Sequence, residues 1–268
     1  MLQKYYEGTP AIIHLATEVG KLLGIVDATN LRKPRTELRR ANRIRSIHAS
    51  LIIEGNTLSL EQVSDLIDHK RVIGPSKDIL EVKNAIKVYE QLDRFDAFEQ
   101  NSYLEAHKVL MQGLIEHAGQ YRTQSVGIFQ GGKVTHLAPP AWNVDYLMTN
   151  LFDYLKNGVD STLIKSCVFH YEMEFIHPFM DGNGRMGRLW QTKILMKENP
   201  VFEYLPIEAE IKNNQQAYYE VLGQCDKEGM STKFIEYMLG IIQQSLQQLI
   251  GKQRTLLGEQ ERLEYFIL

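Results

Sequence analysis

One short segment of the sequence, HPFMDGNGRMGR at 177–188, holds side chains and glycines that could bind a nucleotide. Gly182 and Gly184 permit a tight turn whose backbone N–H groups converge, and a helix is expected to begin directly after it. Convergent amides at a helix N-terminus form an anion site that suits phosphates. Arg185 and Arg188 lie three residues apart on one face of that helix, where their guanidinium groups can grip phosphate oxygens.

The two arginines stand in an unfavourable place unless an anion is bound. A cation in the first turn of a helix opposes the helix dipole by about 0.3–1 kcal/mol. Local conflicts of this kind are typical of functional sites. We therefore interpret the segment as a phosphate site, and a plain glycine-rich turn between core helices is the alternative.

Two more side chains of the segment add chemistry to the phosphate site. Asp181 is a hard oxygen ligand, and Mg²⁺ commonly binds one or two carboxylates together with phosphate oxygens. His177 is a candidate general base with an ordinary pKa near ~6.5. Pro178 disfavours helical geometry at His177, so the strongly apolar helix predicted over 161–176 should end there. A base, a metal ligand, a phosphate site and two cations together favour an active site over a turn with a structural histidine.

The segment resembles the signature of the Fic (Fido) family, His-x-Phe-x-(Asp or Glu)-Gly-Asn-Gly-Arg-x-x-Arg. All eight fixed positions match: His177, Phe179, Asp181, Gly182, Asn183, Gly184, Arg185 and Arg188. The resemblance extends to His107, to the stretch 119–122 and to the stretch 211–219, and it covers about residues 37–245. It implies an all-α fold, a Fic-type helical core with a β-hairpin flap, and an adenylyltransferase that uses ATP and Mg²⁺ to transfer AMP to a target protein.

The resemblance also implies a role for each position of the signature. His177 deprotonates the hydroxyl that attacks the α-phosphate, and Asp181 holds the metal ion. The loop 182–184 binds the α- and β-phosphates. Arg185 and Arg188 neutralise charge on the β- and γ-phosphates so that pyrophosphate can leave, while the phenylalanine of the signature anchors the loop in the core.

A hairpin is expected at 121–137, where β-prone runs flank a Gly-Gly pair that favours a tight turn. By resemblance, this hairpin is a flap that binds an extended piece of the target protein by strand addition. Thr135 and His136 at its end would then lie near the nucleotide. Tyr218 and Tyr219 would form the adenine-side wall, with ordinary core aromatics as the alternative.

Residues 50–56, SLIIEGN, match the inhibitory motif of the same family, (Ser or Thr)-x-x-x-Glu-(Gly or Asn), through Ser50, Glu54 and Gly55. Glu54 falls at the C-terminal end of a predicted helix, where the helix dipole disfavours a carboxylate, and a nearby cation would offset that cost. The resemblance implies that this cation is Arg188, so that Glu54 keeps the γ-phosphate from binding productively. An exposed surface glutamate is the alternative.

Apolar spacing and capping residues predict a mostly helical chain. Helices are expected at 37–54, from Ser59, from Ser76, and at 101–117, 161–176, 185–197, 207–224 and 231–250. We divide the chain into an N-terminal helical region with the inhibitory helix (1–95), a catalytic core (96–245) and a C-terminal helical tail (246–268).

Composition restricts the class of protein further. The 268 residues are 44% hydrophobic and 24% charged with a net charge of −3, so there is no general basic field for nucleic acid. Cys167 and Cys225 fit neither a disulfide framework nor a zinc spacing. The N-terminus lacks an apolar signal segment, and no apolar run approaches the roughly 18 residues that span a bilayer. We expect a cytoplasmic protein with no membrane association.

Several alternatives stay open at this stage. Relatives in the family transfer UMP, phosphocholine or phosphate, and in some the inhibitory glutamate helps to remove AMP. A catalytically silent binding module is a second class, which the intact His177 and Asp181 disfavour. Nucleic-acid binding is a third, because ERLEYFIL at 261–268 resembles the opening of a winged-helix segment that stops early. Expected partners are a protein substrate, the chain itself through self-modification, and a second copy in a homo-oligomer.

Overall fold

The structure, a computed structural model, describes residues 5–29, 31, 35–130 and 133–267; in 127–137 and from 253 onward it describes the backbone alone. The described residues form eleven α-helices and one pair of strands. The helices are α1 (Pro10–Ala28), α2 (Thr36–Ile53), α3 (Leu60–Ile67), α4 (Ser76–Glu90), α5 (Gln100–Leu110), α6 (Val144–Asn157), α7 (Thr162–Ile176), α8 (Asn183–Leu195), α9 (Ile207–Asn213), α10 (Gln215–Glu228) and α11 (Thr232–Ile267). The all-α prediction is confirmed.

The helices enclose two apolar cores that meet at α7. The first lies among α2 to α8 and includes the fully buried Tyr103, Phe169 and Trp190. The second lies among α1, α7 and α9 to α11 and includes Phe234. Most side chains of α7 are buried, as the nearly uniform apolar pattern predicted. Because α7 packs into both cores, its C-terminal end is held in place, and so is the start of the loop that follows it.

Two strands form the expected hairpin. The strand β1 (Gly127–Gln130) pairs antiparallel with β2 (Lys133–Leu137), so that Ile128 lies opposite His136, and the register shifts between Ile128 and Phe129. The turn residues lie outside the described part of the chain. The role of this hairpin as a flap stays a prediction.

Several helix signals act as the sequence predicted. The side chains of Ser59 and Gln62 form a reciprocal capping box at the start of α3. The helix α7 also has a cap, which was not predicted: the backbone N–H of Ile164 donates to Oγ of Ser161. Gly55 follows the end of α2 with a left-handed φ of 88°, which suits a C-terminal glycine.

Other predicted boundaries are wrong. The helix predicted over 101–117 ends at Leu110, and Gly113 then adopts a φ of 74° that a helix does not contain. The helix predicted over 207–224 is broken at Asn214, which ends α9 and begins α10. The helices α1 and α6 were not predicted, although Thr9 caps α1 and Pro10 occupies its first turn.

The proposed division of the chain at 95/96 and 245/246 stays a prediction, and α11 runs through the second of these points. Both cysteines are buried and free. Among the described helices, none has the length and apolar composition that crossing a membrane requires.

The packing around α7 gives a direct test. The ring of Phe169 is fully buried, with its centroid 5.9 Å from that of Tyr103 and 5.3 Å from that of Phe152. We expect Phe169→Ala to lower the free energy of unfolding by about 3–5 kcal/mol, because it leaves a cavity between two aromatic rings. Urea unfolding measures this, with Ile73→Ala, 86% exposed, as a control expected within about 0.5 kcal/mol of wild type. A similarly small loss for both variants would contradict the packing described.

Candidate active site

The loop begins with a left-handed residue that is not glycine. α7 ends at Ile176, as Pro178 predicted, and His177 follows with φ 51° and ψ 61°. Backbone strain of this kind at a non-glycine residue is uncommon and clusters at functional sites. The Nδ1 of His177 lies 3.4 Å from the carbonyl oxygen of Glu174, one turn back in α7.

Arg122 holds the backbone at the start of the loop. Its Nε donates to the carbonyl oxygen of His177 at 2.7 Å. Its Nη2 donates to the carbonyl oxygens of Pro139 and Ile176 at 2.6 and 3.2 Å. Its own backbone N–H donates to the carbonyl oxygen of Pro178 at 2.9 Å. Burial lowers the pKa of Arg122. This one arginine therefore ties the end of α7 to the segment that follows the hairpin.

Asn183 closes the loop on itself. Its Oδ1 accepts from the backbone N–H of Phe179 and its Nδ2 donates to the carbonyl oxygen of the same residue, both at 2.9 Å. Gly182 supplies the turn with a φ of 86°. α8 begins at Asn183, two residues before the predicted start at 185, so Gly184 and Arg185 both lie in its first turn.

His107 packs against the loop and binds its backbone. Its ring stacks on Phe179 with a centroid distance of 3.5 Å, and Phe179 is fully buried, in agreement with its predicted role as an anchor. The backbone N–H of Gly119 donates to Nδ1 at 2.8 Å, so Nε2 carries the proton and donates to the carbonyl oxygen of Asp181 at 3.0 Å. Burial lowers the pKa of His107 to about 4, and the ring is neutral at pH 7.

Arg188 meets the predicted inhibitory motif. Its Nη2 lies 2.7 Å from Oε1 of Glu54 and donates to the carbonyl oxygen of Ser50 at 3.0 Å, while its Nε donates to the Oγ of Ser50 at 3.2 Å. The side chain of Arg188 is 1% exposed and that of Glu54 is 29% exposed. Burial is the largest influence on the pKa of Arg188 and lowers it, but the charge and hydrogen bond of Glu54 together with Tyr218 and Glu174 raise it by more, so the net direction is upward. The two residues, 134 positions apart, form one ion pair.

The carboxylate of Glu54 lies against the start of α8. A Cβ placed on Gly184 would collide with Oε1 of Glu54, so only glycine leaves room for the carboxylate here. The sequence predicts an anion site at the N-terminus of α8. In this structure the carboxylate of Glu54, which follows the last residue of α2, lies beside Gly184 in the first turn of α8.

Arg185 pairs with two other carboxylates. Its Nη2 lies 2.8 Å from Oδ1 of Asp181, and its Nη1 lies 3.3 Å from Oε1 of Glu81 on α4. Asp181 is 48% exposed and also accepts from the backbone N–H of Gly182 at 2.6 Å. A half-exposed carboxylate at the mouth of an anion site suits a metal ion that binds phosphates at the same time.

The remaining predicted residues are placed less directly. Tyr218 is 1% exposed and packs in the second core, with its hydroxyl 3.0 Å from Nε2 of His170. Tyr219 is half-buried, and burial raises its pKa; its ring centroid lies 5.4 Å from that of Tyr218. The adenine-side wall stays a prediction. The side chains of Thr135 and His136 lie outside the described residues.

Sequence reasoning gave no role to three residues that hold the site together. These residues are His107, Arg122 and Glu81. The first two were noted only as part of the family resemblance, and Glu81 was not noted at all. His107 and Arg122 bind mainly backbone carbonyls, which leave no periodic signal. The available clue for Glu81 was a carboxylate in the middle of a predicted helix, on a position that the structure buries.

Comparison with known proteins identifies the family. The profile of the Fic/DOC family matches residues 97–195. A crystal structure of a Fic family protein from Desulfovibrio desulfuricans G20 is 47% identical in sequence, covers 94% of this chain and 77% of its own, and superposes with a TM-score of 0.90. This chain belongs to the Fic family. The helical core and the signature loop described above are therefore a Fic fold and a Fic loop.

Curated Fic relatives carry an activity in their names. Protein adenylyltransferase fic-1 of Caenorhabditis elegans is 30% identical over 251 residues, which are 85% of this chain and 46% of that protein. Protein adenylyltransferase Fic of Culex quinquefasciatus is 29% identical over 225 residues, which are 78% of this chain and 42% of that protein. The chain thus spans less than half the length of these relatives.

The neutral His107 predicts how stability depends on pH. Its pKa is about 4 in the folded protein and near ~6.5 when unfolded, so on acidification the unfolded chain takes up the proton first. Stability is therefore lost as pH falls from 6.5 towards 4, and His107 alone contributes a loss of about 2 kcal/mol between pH 7 and pH 5.

Urea unfolding of wild type and His107→Gln at both pH values measures this contribution. His170, whose pKa burial lowers to about 3, acts equally in both proteins and cancels in the comparison. The variant should lose less stability than wild type between the two pH values. Identical losses would show that His107 is not held neutral by the fold.

Proposed function

We propose that this chain is a protein adenylyltransferase, which transfers the AMP part of ATP to a hydroxyl side chain of a target protein. The observation that carries the proposal is the anion site at the start of α8, where two buried arginines point at carboxylates. A histidine and a half-exposed aspartate flank the same loop. The names of the curated relatives support the same reaction.

The phosphates of ATP would bind where the Glu54 carboxylate now lies. The first turn of α8 leaves backbone N–H groups without helical partners, and these suit phosphate oxygens. Arg188 would contact the γ-phosphate once Glu54 has moved, and Arg185 would contact the β-phosphate. Thr135 and His136, at the end of the hairpin, would lie at the nucleotide.

Asp181 fits Mg²⁺ bound together with phosphates. Among the described residues, no three His, Cys, Asp or Glu side chains form a group that could hold a metal ion. One carboxylate with phosphate and water oxygens is a usual set of ligands for Mg²⁺. The ion would neutralise charge on the leaving pyrophosphate.

His177 is the proposed general base. It would take the proton of the target hydroxyl as that oxygen bonds to the α-phosphorus, while the bond from the α-phosphorus to the bridging oxygen of the β-phosphate breaks and pyrophosphate leaves. The contact of Nδ1 with the Glu174 carbonyl would direct Nε2 outward. The hairpin would hold the target as an added strand, so that its hydroxyl reaches this nitrogen.

Glu54 is the proposed brake on this reaction. The carboxylate and the γ-phosphate compete for the same guanidinium, and Ser50 helps to hold Arg188 in the paired state through its hydroxyl and carbonyl oxygens. Gly55 follows Glu54 with a left-handed φ and turns the chain away directly after the carboxylate. The pair supports an autoinhibited resting state.

One prediction of the proposed function concerns His177. We expect His177→Ala to bind ATP as wild type does but to transfer AMP ~10²–10⁴-fold more slowly, because the phosphate contacts are amides and arginines while the histidine acts on the incoming hydroxyl. Intact-protein mass spectrometry after incubation with ATP and Mg²⁺ measures self-modification as added AMP. His117→Ala, at an exposed position, is the matched control. A wild-type rate in His177→Ala would remove the histidine from the mechanism.

Another prediction of the proposed function concerns Glu54. We expect Glu54→Gly to raise transfer roughly five- to 150-fold, because it removes a coupling of about 1–3 kcal/mol between the carboxylate and the phosphate site. Arg188→Ala should lower transfer, since it removes the phosphate contact as well as the brake. Transfer from labelled ATP at equal protein concentrations measures all three proteins. An unchanged or lower rate in folded Glu54→Gly would refute the brake but not the catalytic loop.

A further inference from the structure

The two arginines of the loop are each paired with a carboxylate from the N-terminal helices, and these carboxylates differ in access. Glu54, which pairs with Arg188, is 29% exposed and follows the last residue of α2. Glu81, which pairs with Arg185, is 8% exposed and lies within α4. A nucleotide entering the site can displace the exposed carboxylate, whereas the buried one stays enclosed by protein.

The carboxylate of Glu81 has a second partner besides Arg185, which is Asn56. The Nδ2 of Asn56 donates to Oε2 of Glu81 at 2.8 Å and to the carbonyl oxygen of Asp78 at 3.1 Å. Lys77, 71% exposed, adds a distant charge contact at 3.9 Å from Oε1. Glu81 therefore keeps its orientation independently of what binds Arg185.

Arg185 needs a fixed partner of this kind. Its side chain is 5% exposed, and its Nε is buried without a hydrogen-bond partner among the described residues. Its other ion pair is with Asp181, which is the proposed Mg²⁺ ligand. Once Asp181 binds the metal ion, it can hold the guanidinium less strongly. Glu81 is then the carboxylate that compensates a buried positive charge, and such a charge is costly without one.

We propose that Glu81 is a positioning residue that holds Arg185 against the β-phosphate of Mg²⁺-ATP. This inference rests on the proposed function for the identity of the nucleotide. Glu81 contacts no substrate itself and acts through Arg185. It also joins Arg185 to the end of the inhibitory segment, because Asn56 lies two residues after Glu54.

Isothermal titration with Mg²⁺-ATP and with AMP tests the proposal. The background carries Glu54→Gly to open the site and His177→Ala to stop turnover. Glu81→Gln keeps the size of the side chain and an acceptor for Asn56 but removes the charge. It should lower the affinity for Mg²⁺-ATP roughly five- to tenfold, because an ion pair becomes a weaker hydrogen bond with only one charged partner, while AMP affinity stays within about twofold.

A matched control removes a carboxylate–arginine pair away from the loop. Glu203 lies 2.6 Å from Arg43, and Glu203→Gln should change neither affinity. Equal Mg²⁺-ATP affinity with and without Glu81→Gln would overturn the proposal. A parallel loss for ATP and AMP would also overturn it, because that pattern marks general damage to the site. If thermal melting shows that Glu81→Gln does not fold, Glu81→Asp keeps the charge, shortens the reach and should give a smaller loss selective for ATP.

Transfer from labelled ATP by Glu54→Gly, with His177 intact, tests the proposed function separately. No transfer together with an ATP-selective loss in Glu81→Gln would refute adenylylation and retain the role of Glu81. Transfer together with unchanged affinities would retain adenylylation and refute the role of Glu81.

Discussion

A guanidinium that is almost wholly buried requires a counter-charge, and the site is organised around this requirement at Arg188. Burial alone disfavours the cation, but the carboxylate of Glu54 at 2.7 Å and the two oxygens of Ser50 compensate it. A buried charge with no partner would cost several kcal/mol, so any ligand that removes Glu54 must bring negative charge of its own. The same ion pair fastens α2 to α8 and thereby joins the N-terminal region to the loop.

The second constraint is that the loop acts largely through its backbone. Amides at the start of α8 can receive an anion only if the chain turns sharply before them, and the left-handed conformations of His177 and Gly182 provide that turn. Arg122 and His107 hold the loop by its carbonyl groups, and Asn183 closes it on Phe179. These contacts keep the amides in place without occupying them, which suits the nucleotide binding proposed above.

Sequence and structure agree where local chemistry decides the outcome. Apolar spacing was sufficient for α2, α3, α4, α7 and α8, the predicted cap formed at α3 but not at Ser76 of α4, and the loop could be interpreted from residue types alone. The pairing of Glu54 with Arg188 followed from a resemblance together with two unfavourable helix ends. The roles of Glu81 and Arg122 could not be predicted from the sequence. Both depend on tertiary packing, which places a residue from the middle of a helix and an arginine from a loop beside partners that are distant in sequence. Propensity sums likewise could not foresee the break between α9 and α10.

The central claim is that Glu54 and the γ-phosphate compete for Arg188. The dissociation constant of Mg²⁺-ATP in wild type and in Glu54→Gln tests it most directly, since glutamine keeps the shape of the side chain and removes its charge. The account predicts tighter binding in the variant, by roughly five- to 150-fold for a coupling of about 1–3 kcal/mol, and an unchanged affinity for AMP. Equal or weaker Mg²⁺-ATP binding in folded Glu54→Gln would contradict it.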